Sequence, residues 1–304
     1  MRYQAILEVL KDKKFDVKNL NCIVGRGGPV APVSSGAYKL DEVLVDKLRN
    51  DPMTDHASLL GGIIAYEMAE DLSIPSYIYD AVSTDELEDI ARFSGMKEIE
   101  RQSLVHTLNM RASGMKVAKE MGKNYEDMNL IVAHLGGGLS FSVHRQGKMV
   151  DIISDDEGAF SPERSGVVPS RALAKMCYKN DFEHISKLLK GKGGLVSYLK
   201  TNDAREVEHM IEDGDEYAKK VYEAMAYQIA KGIGELAPVV NGQVDAIVIT
   251  GGMSYSQMLM DWITKRLEFI APVKIVPGEN ELESLAMGGL RVLKGEETAH
   301  KFLR

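Results

Sequence analysis

Short apolar, β-branched runs alternate along the chain with longer stretches whose apolar residues recur every three or four positions. That alternation predicts an α/β fold with mostly parallel sheets flanked by helices. Leu20–Val24 reads as a strand entering the turn Gly25-Arg26-Gly27-Gly28-Pro29, and helical patterns follow at Asp41–Arg49 and His56–Asp71. Ser76–Asp80 is a short strand opened by Pro75, whose missing N–H is tolerated at a strand's first position. Ser83 with Glu86 reads as a capping box for a further helix, and a helix over roughly 100–121 leads into the strand Asn129–Leu135. That strand ends in Gly136-Gly137-Gly138 and is followed by a hairpin, Ser140–Arg145 and Met149–Ser154 around Gln146-Gly147-Lys148.

From Ser170 to Asn241 the pattern is helical, with Val221, Met225, Ile229, Ile233 and Leu236 forming one apolar stripe that marks core. Val244–Thr250 is a strand into Gly251-Gly252, and Val273–Val276 is another into Pro277-Gly278. Glu281–Leu293 is a closing helix with Asn280 and Glu283 placed to cap it.

Composition narrows the function classes. With 304 residues, 44% of them apolar, two domains are expected, and a formal net charge of -8 without a basic tract excludes a nucleic-acid footprint. Small ligands fit better, since backbone N–H groups and a few local arginines can hold an anion on an acidic protein. Cys22 and Cys177 stand alone without metal-ligand spacing and read as buried thiols in a reducing compartment. Residues 1–14 are charged and amphipathic and no apolar run reaches roughly 18 residues, so a cytoplasmic protein with no membrane partner is expected.

Three predicted strands thus end in glycine runs, at Gly27-Gly28, Gly136-Gly137-Gly138 and Gly251-Gly252, where bare backbone can approach a ligand. Taken singly, each is a tight turn. Neither the phosphate loop Gly-x-x-x-x-Gly-Lys-Ser/Thr nor the dinucleotide fingerprint Gly-x-Gly-x-x-Gly is present, so another nucleotide fold is needed.

The motifs Val24-Gly25-Arg26-Gly27-Gly28, Asp55-His56-Ala57, Tyr79-Asp80, His106, Ala133-His134-Leu135-Gly136-Gly137-Gly138 and Thr250-Gly251-Gly252 stand in the order of the acetate and butyrate kinase family. His134–Gly138 and Ser161-Pro162-Glu163-Arg164-Ser165-Gly166 followed by Val167-Val168-Pro169 resemble its butyrate kinase branch, and the resemblance runs from about Ile6 to Leu293. It implies an actin-like ATPase fold of two domains of related topology with the ATP cleft between them, residues 1–81 plus 283–304 and residues 82–282. It also implies reversible in-line phosphoryl transfer between ATP and a short-chain acid, most plausibly butyrate, with Mg²⁺, in a homo-oligomer. Acetate, propionate or a branched-chain acid stay open as acceptors. Family members open with an Asn-Pro-Gly-Ser-x-Ser-x-Lys type turn, and this chain starts downstream of it. A shortened first domain with exposed sheet edges and lower solubility is therefore expected, and a nucleotide-binding fragment or assembly subunit is the alternative.

Carried over residue by residue, the resemblance makes Arg26 and Arg164 the groups that bind the carboxylate and stabilise the transferring phosphoryl group. A guanidinium fork suits planar anions, and this chemistry needs positive charge more than a nucleophile. His106 would donate to the phosphoryl group and His56 would sit near the carboxylate. Asp80 and Glu281 would hold Mg²⁺; a cap before Ser83 and a favourable helix-dipole position are their plainer readings. Gly136, Gly137 and Gly138 would turn around the β-phosphate, with His134 as a buttress, while Gly251, Gly252 and Met253 would line the adenosine side, where Met253 serves equally as core. His144, His184, His209 and His300 show no constellation.

Overall fold

The structure, a computed structural model, describes residues 2–303. In chain order its first elements are α1 (Arg2–Asp12), β1 (Ile23–Arg26), β2 (Ala37–Lys39), α2 (Glu42–Asn50), α3 (Leu59–Leu72), β3 (Ser76–Tyr79) and α4 (Thr107–Glu120). Then come β4 (Asn129–Leu135), β5 (Leu139–Arg145), β6 (Lys148–Ile153), α5 (Ser170–Lys179), α6 (Phe182–Leu189), α7 (Gly194–Leu199), α8 (Ala204–Glu212) and α9 (Glu216–Glu235). β7 (Ala246–Gly251), α10 (Gln257–Leu267), β8 (Val273–Pro277) and α11 (Glu281–Leu293) complete it. The chain forms two compact units: unit 1 is Met1–Glu86, Gln102–Leu108 and Asn280–Arg304, and unit 2 is Leu87–Arg101 and Asn109–Glu279.

In unit 1 the strand order is β1-β3-β2, with β1 parallel and β2 antiparallel to β3. The strand β2 carries only three residues and its pattern is too short to read from sequence. Helix α3 lies flush on β1 because a Cβ on Gly25 would come 2.2 Å from the Gly61 carbonyl oxygen. Helix α11 approaches the same sheet through Gly288, over Tyr79, and Gly289, over Val24. Leu44, Leu48 and Ile78 fill the core between α2, α3 and the sheet.

The sheet of unit 2 has the order β6-β5-β4-β7-β8, where β6-β5-β4 is an antiparallel meander and β4, β7 and β8 are parallel. Both sheets are therefore mixed, not mostly parallel as the alternation predicts; a hairpin and a crossover produce equally apolar strands. Gln146 and Gly147, at φ 52° and 76°, supply the two left-handed residues of the tight hairpin turn. The stripe on α9 is buried as expected, packed with α10 against the sheet.

Four further expectations are corrected. Ser83 and Glu86 start no α-helix: residues 83–85 pair with Val33 as an extended bridge, and the Glu86 carboxylate accepts from the Ser35 amide at 3.2 Å and its hydroxyl at 2.7 Å. The helix expected from about residue 100 begins at Thr107, because Arg101 is held back by ion pairs to Asp151 and Glu157. Asn280 occupies the N-cap of α11 without a side-chain capping bond. Cys22 is half-buried and Cys177 is exposed, so neither is the fully buried thiol expected from its apolar neighbours.

Candidate active site

In unit 2, β4 and β7 run side by side and parallel, so the glycine runs that follow them emerge at the same end of the sheet. There they border a cavity of about 660 Å³ lined by Gly136, Gly137, Gly252 and Met253. Gly137 and Gly252 are open: a Cβ on Gly137 would meet only the Glu163 carboxylate at 3.8 Å, and one on Gly252 would meet nothing within 4 Å. Met253 is both core and lining.

Gly138 and Gly251 are glycines for another reason. At φ 96° Gly251 occupies backbone space that side chains avoid, and a Cβ there would lie 2.4 Å from the Leu135 carbonyl oxygen. A Cβ on Gly138 would lie 2.8 Å from the Arg164 Cζ, so the triplet is shaped to admit that guanidinium. Ser161 ties the two together, its hydroxyl donating to the Gly137 carbonyl at 2.6 Å while accepting from the Arg164 amide at 3.2 Å. The loop is clamped from below by Gly194, at φ 56°, whose Cβ would fall 1.7 Å from the Ser161 carbonyl oxygen.

Arg164 is ion-paired with Asp155, and its Nε is buried with no acceptor among the described residues. Burial pushes its guanidinium down from the usual value. A buried donor of this kind is rare in a folded protein without a ligand to meet it. His134 lies buried beneath the triplet, its Nε2 3.3 Å from Glu279 Oε1.

Unit 1 holds the other sequence-predicted residues. Arg26, the last residue of β1, and Glu281, the first of α11, come together as an ion pair at 3.1 Å, both partly exposed. Asp80 follows β3 and is 5% exposed, at φ 43°, a left-handed conformation that costs a non-glycine residue energy and often marks a functional position. Its Oδ1 accepts from the Gly36 amide at 2.8 Å. His56 is exposed before α3, its Nδ1 accepting from the Ser58 amide at 3.2 Å. His106 is half-buried immediately before α4. The first glycine run is filled by protein instead of facing a ligand: a Cβ on Gly27 would strike Ala81 at 2.7 Å, and one on Gly28 would strike Leu59 at 2.6 Å.

Sequence reasoning missed a wall of the cavity, formed by Asn202, Asp203, Arg205 and Glu208 together with Tyr255 and Ser256. The region 170–241 is not one helical stretch but α5 to α9, and the break before α8, with Lys200 at φ 66° and Asp203 as N-cap, builds that wall. The pattern Thr201-Asn202-Asp203 is a recognisable helix start. Glu208 is fixed by the Tyr222 hydroxyl at 2.9 Å and by Ser256, which caps α10. His144 lies fully buried between the Tyr125 hydroxyl at 2.7 Å and the Ser142 hydroxyl at 2.6 Å, and burial pulls it down to about 3.

Comparison with known proteins matches residues 101–299 to the Acetokinase family. Butyrate kinase 2 of Clostridium acetobutylicum is 48% identical over 305 aligned residues, covering 99% of this chain and 86% of that protein. Among solved structures, the acetate kinase of Porphyromonas gingivalis superposes with a TM-score of 0.84 at 20% identity, over 95% of this chain and 84% of that one. A propionate kinase from Francisella tularensis gives 0.78 at 18% identity, over 93% and 82%. The fold is thus the actin-like ATPase fold expected from the order of the motifs.

Proposed function

This chain belongs to the acetokinase family of ATP-dependent carboxylate kinases, and we propose that the acid it phosphorylates is butyrate. In this reading a butyrate oxygen attacks the γ-phosphorus of ATP in line, the bond to the β–γ bridging oxygen breaks, and butanoyl phosphate and ADP leave. The acid reacts as its carboxylate, so no general base is needed. The task of the protein is positioning and charge.

One observation carries the chemistry: the Arg164 guanidinium, whose buried Nε has no acceptor among the described residues, lies against Gly138 of the glycine turn. An anion beside that turn supplies the missing acceptor, and a donor already in place is the kind that stabilises developing charge. The polyphosphate of ATP lies along Gly136, Gly137 and Gly138 over His134. Gly251, Gly252 and Met253 border the nucleoside with Asp203, Arg205 and Tyr255. In unit 1, Arg26 and His56 hold the carboxylate and His106 donates to the phosphoryl group.

Mg²⁺ binding suits Asp80, a carboxylate held in a strained backbone position with one oxygen anchored by the Gly36 amide. Glu281, which also orients Arg26, would be the second acidic residue of that site. When bound, Mg²⁺ neutralises charge on the phosphate oxygens.

Acyl phosphate trapped as hydroxamate, measured with Mg·ATP over acetate, propionate, butyrate, isobutyrate and valerate, tests the reading. We expect kcat/KM to peak at butyrate, with acetate lower by about 100-fold or more, the worth of two buried methylenes at roughly 10-fold or more each. A peak at another acid overturns the substrate assignment. No acyl phosphate from any acid overturns the chemistry.

A further inference from the structure

We propose that unit 2 carries a second ligand site, at the end of its sheet remote from the glycine turns, for an amphipathic anion with an apolar chain and one carboxylate or phosphate head. Strands β4, β7 and β8 are parallel, so residues just before β7 and β8 lie at the opposite pole from those just after them. Asn241 and Gly242 precede β7 and Phe269 and Ile270 precede β8; all four border a cavity of about 800 Å³. At a rise of roughly 3.3 Å per residue, β7 alone separates this pole from Gly251 by about 17 Å.

The size and lining suit a small molecule. Ala230, Pro238, Leu267 and Ile270 supply apolar walls from α9, the turn after it, α10 and the segment that follows α10. Gly234 leaves space within α9: a Cβ there would meet only Ile270 Cδ1, at 3.6 Å. Phe269 and Tyr227 are 83% and 51% exposed beside it and present aromatic surface to solvent.

The charge is selective. The chain carries -8 overall, yet the charged residues lining this cavity are Lys231 and Arg266, both cationic. They converge on the Tyr227 ring, with Lys231 Nζ 5.5 Å and Arg266 Cζ 6.0 Å from its centre. Arg266 is steadied by the Trp262 carbonyl at 2.9 Å and Glu223 at 3.0 Å, whereas Lys231 makes no salt bridge among the described residues. Basic residues near helix C-termini offset the dipole, but that role does not require two of them to meet over an unfilled apolar space. A second copy of the chain fits less well. A two-fold axis through this cavity would set the cation pair against its own image, whereas an anionic head is complementary to it.

The test uses the full chain and 8-anilinonaphthalene-1-sulfonate fluorescence, with displacement by decanoate, decyl phosphate and decyltrimethylammonium. We expect either anion to displace the dye at concentrations at least 10-fold below those of the cation, and the two anions to reveal which head is preferred. Lys231→Glu should weaken the anions 10-fold or more. Gly234→Leu, which fills the cavity with a better helix former, should abolish displacement while kcat/KM for the kinase reaction stays within two-fold. Equal displacement by the cation, or unchanged binding in both variants, overturns the proposal. So does loss of an oligomer on Phe269→Asp, seen by sedimentation velocity, which would assign the face to a second copy.

Discussion

Replacing Gly138 by alanine should separate catalysis from folding. The new Cβ would lie 2.8 Å from Arg164 Cζ and 3.0 Å from its Nη1, against 3.4 Å for the nearest ordinary contact, so the guanidinium must withdraw by about 0.6 Å. The obstacle is the far end of a flexible side chain, and Gly138 is not among the positive-φ glycines, so the backbone accepts alanine. Stability should change by less than about 1 kcal/mol. Catalysis should respond far more, because a misplacement approaching 1 Å costs up to about 100-fold and loss of a transition-state donor about 100- to 1,000-fold. We expect kcat to fall roughly 10- to 100-fold, or about 1.4–2.7 kcal/mol of barrier, with little change in KM for ATP. Hydroxamate initial rates measure this, and urea unfolding followed by Trp262, the single tryptophan, checks unit 2. Gly137→Ala is the control: its Cβ stays clear of Arg164 and projects toward the cavity, so it should raise KM for ATP instead. Combining Gly138→Ala with Arg164→Ala should be no worse than Arg164→Ala alone. A Gly138→Ala enzyme with kcat within two-fold of the parent refutes the reasoning.

Gly194→Ala should be far harsher, costing more than about 3 kcal/mol and dislodging the Ser161–Arg164 loop, since the added carbon meets the Ser161 carbonyl at 1.7 Å in a left-handed residue; an unchanged urea midpoint would reject this. For His144, which titrates near 3 when folded against 6.5 when exposed, the unfolded chain takes up a proton between those values that the native state refuses. Its contribution is complete above about pH 6.5 and declines by about 1.4 kcal/mol per pH unit below it. The stability gap between wild type and His144→Asn, read by Trp262, should thus shrink by about 2 kcal/mol from pH 7.5 to 5, and a constant gap would contradict the burial argument. Asp80→Asn keeps an acceptor for Gly36 and tolerates φ 43°, so the fold should survive while the Mg²⁺ needed for half-maximal rate rises 10-fold or more. An unaltered Mg²⁺ dependence removes Asp80 from the metal site.

Much of the secondary structure was legible locally. Asn129–Leu135 and Ser140–Arg145 are continuous apolar or alternating runs bounded by glycines, and the observed strands match the predicted ones within a residue. Turns and caps were less legible, because a distant partner can override a local pattern. Ser83-x-x-Glu86 has the pattern of a helix start, yet Glu86 is worth more to the chain as the acceptor for Ser35, a partner 51 positions away. At Lys200–Asp203 the helix break is legible in the Asp203 cap, but that this segment walls the cavity depends on contacts with residues far away in the chain.

The sequence by itself determined where the chain alternates between strand and helix, which stripe of α9 is core, and that glycines follow β4 and β7 in the order of this kinase family. These are local matters of periodicity, backbone permission and residue order. Only the tertiary structure decided what each glycine is for: Gly27 and Gly28 make room for Ala81 and Leu59, Gly138 for Arg164, and Gly137 and Gly252 for open space. A missing side chain permits close approach but does not say what approaches. That depends on contacts between residues far apart in the chain, which no local pattern encodes.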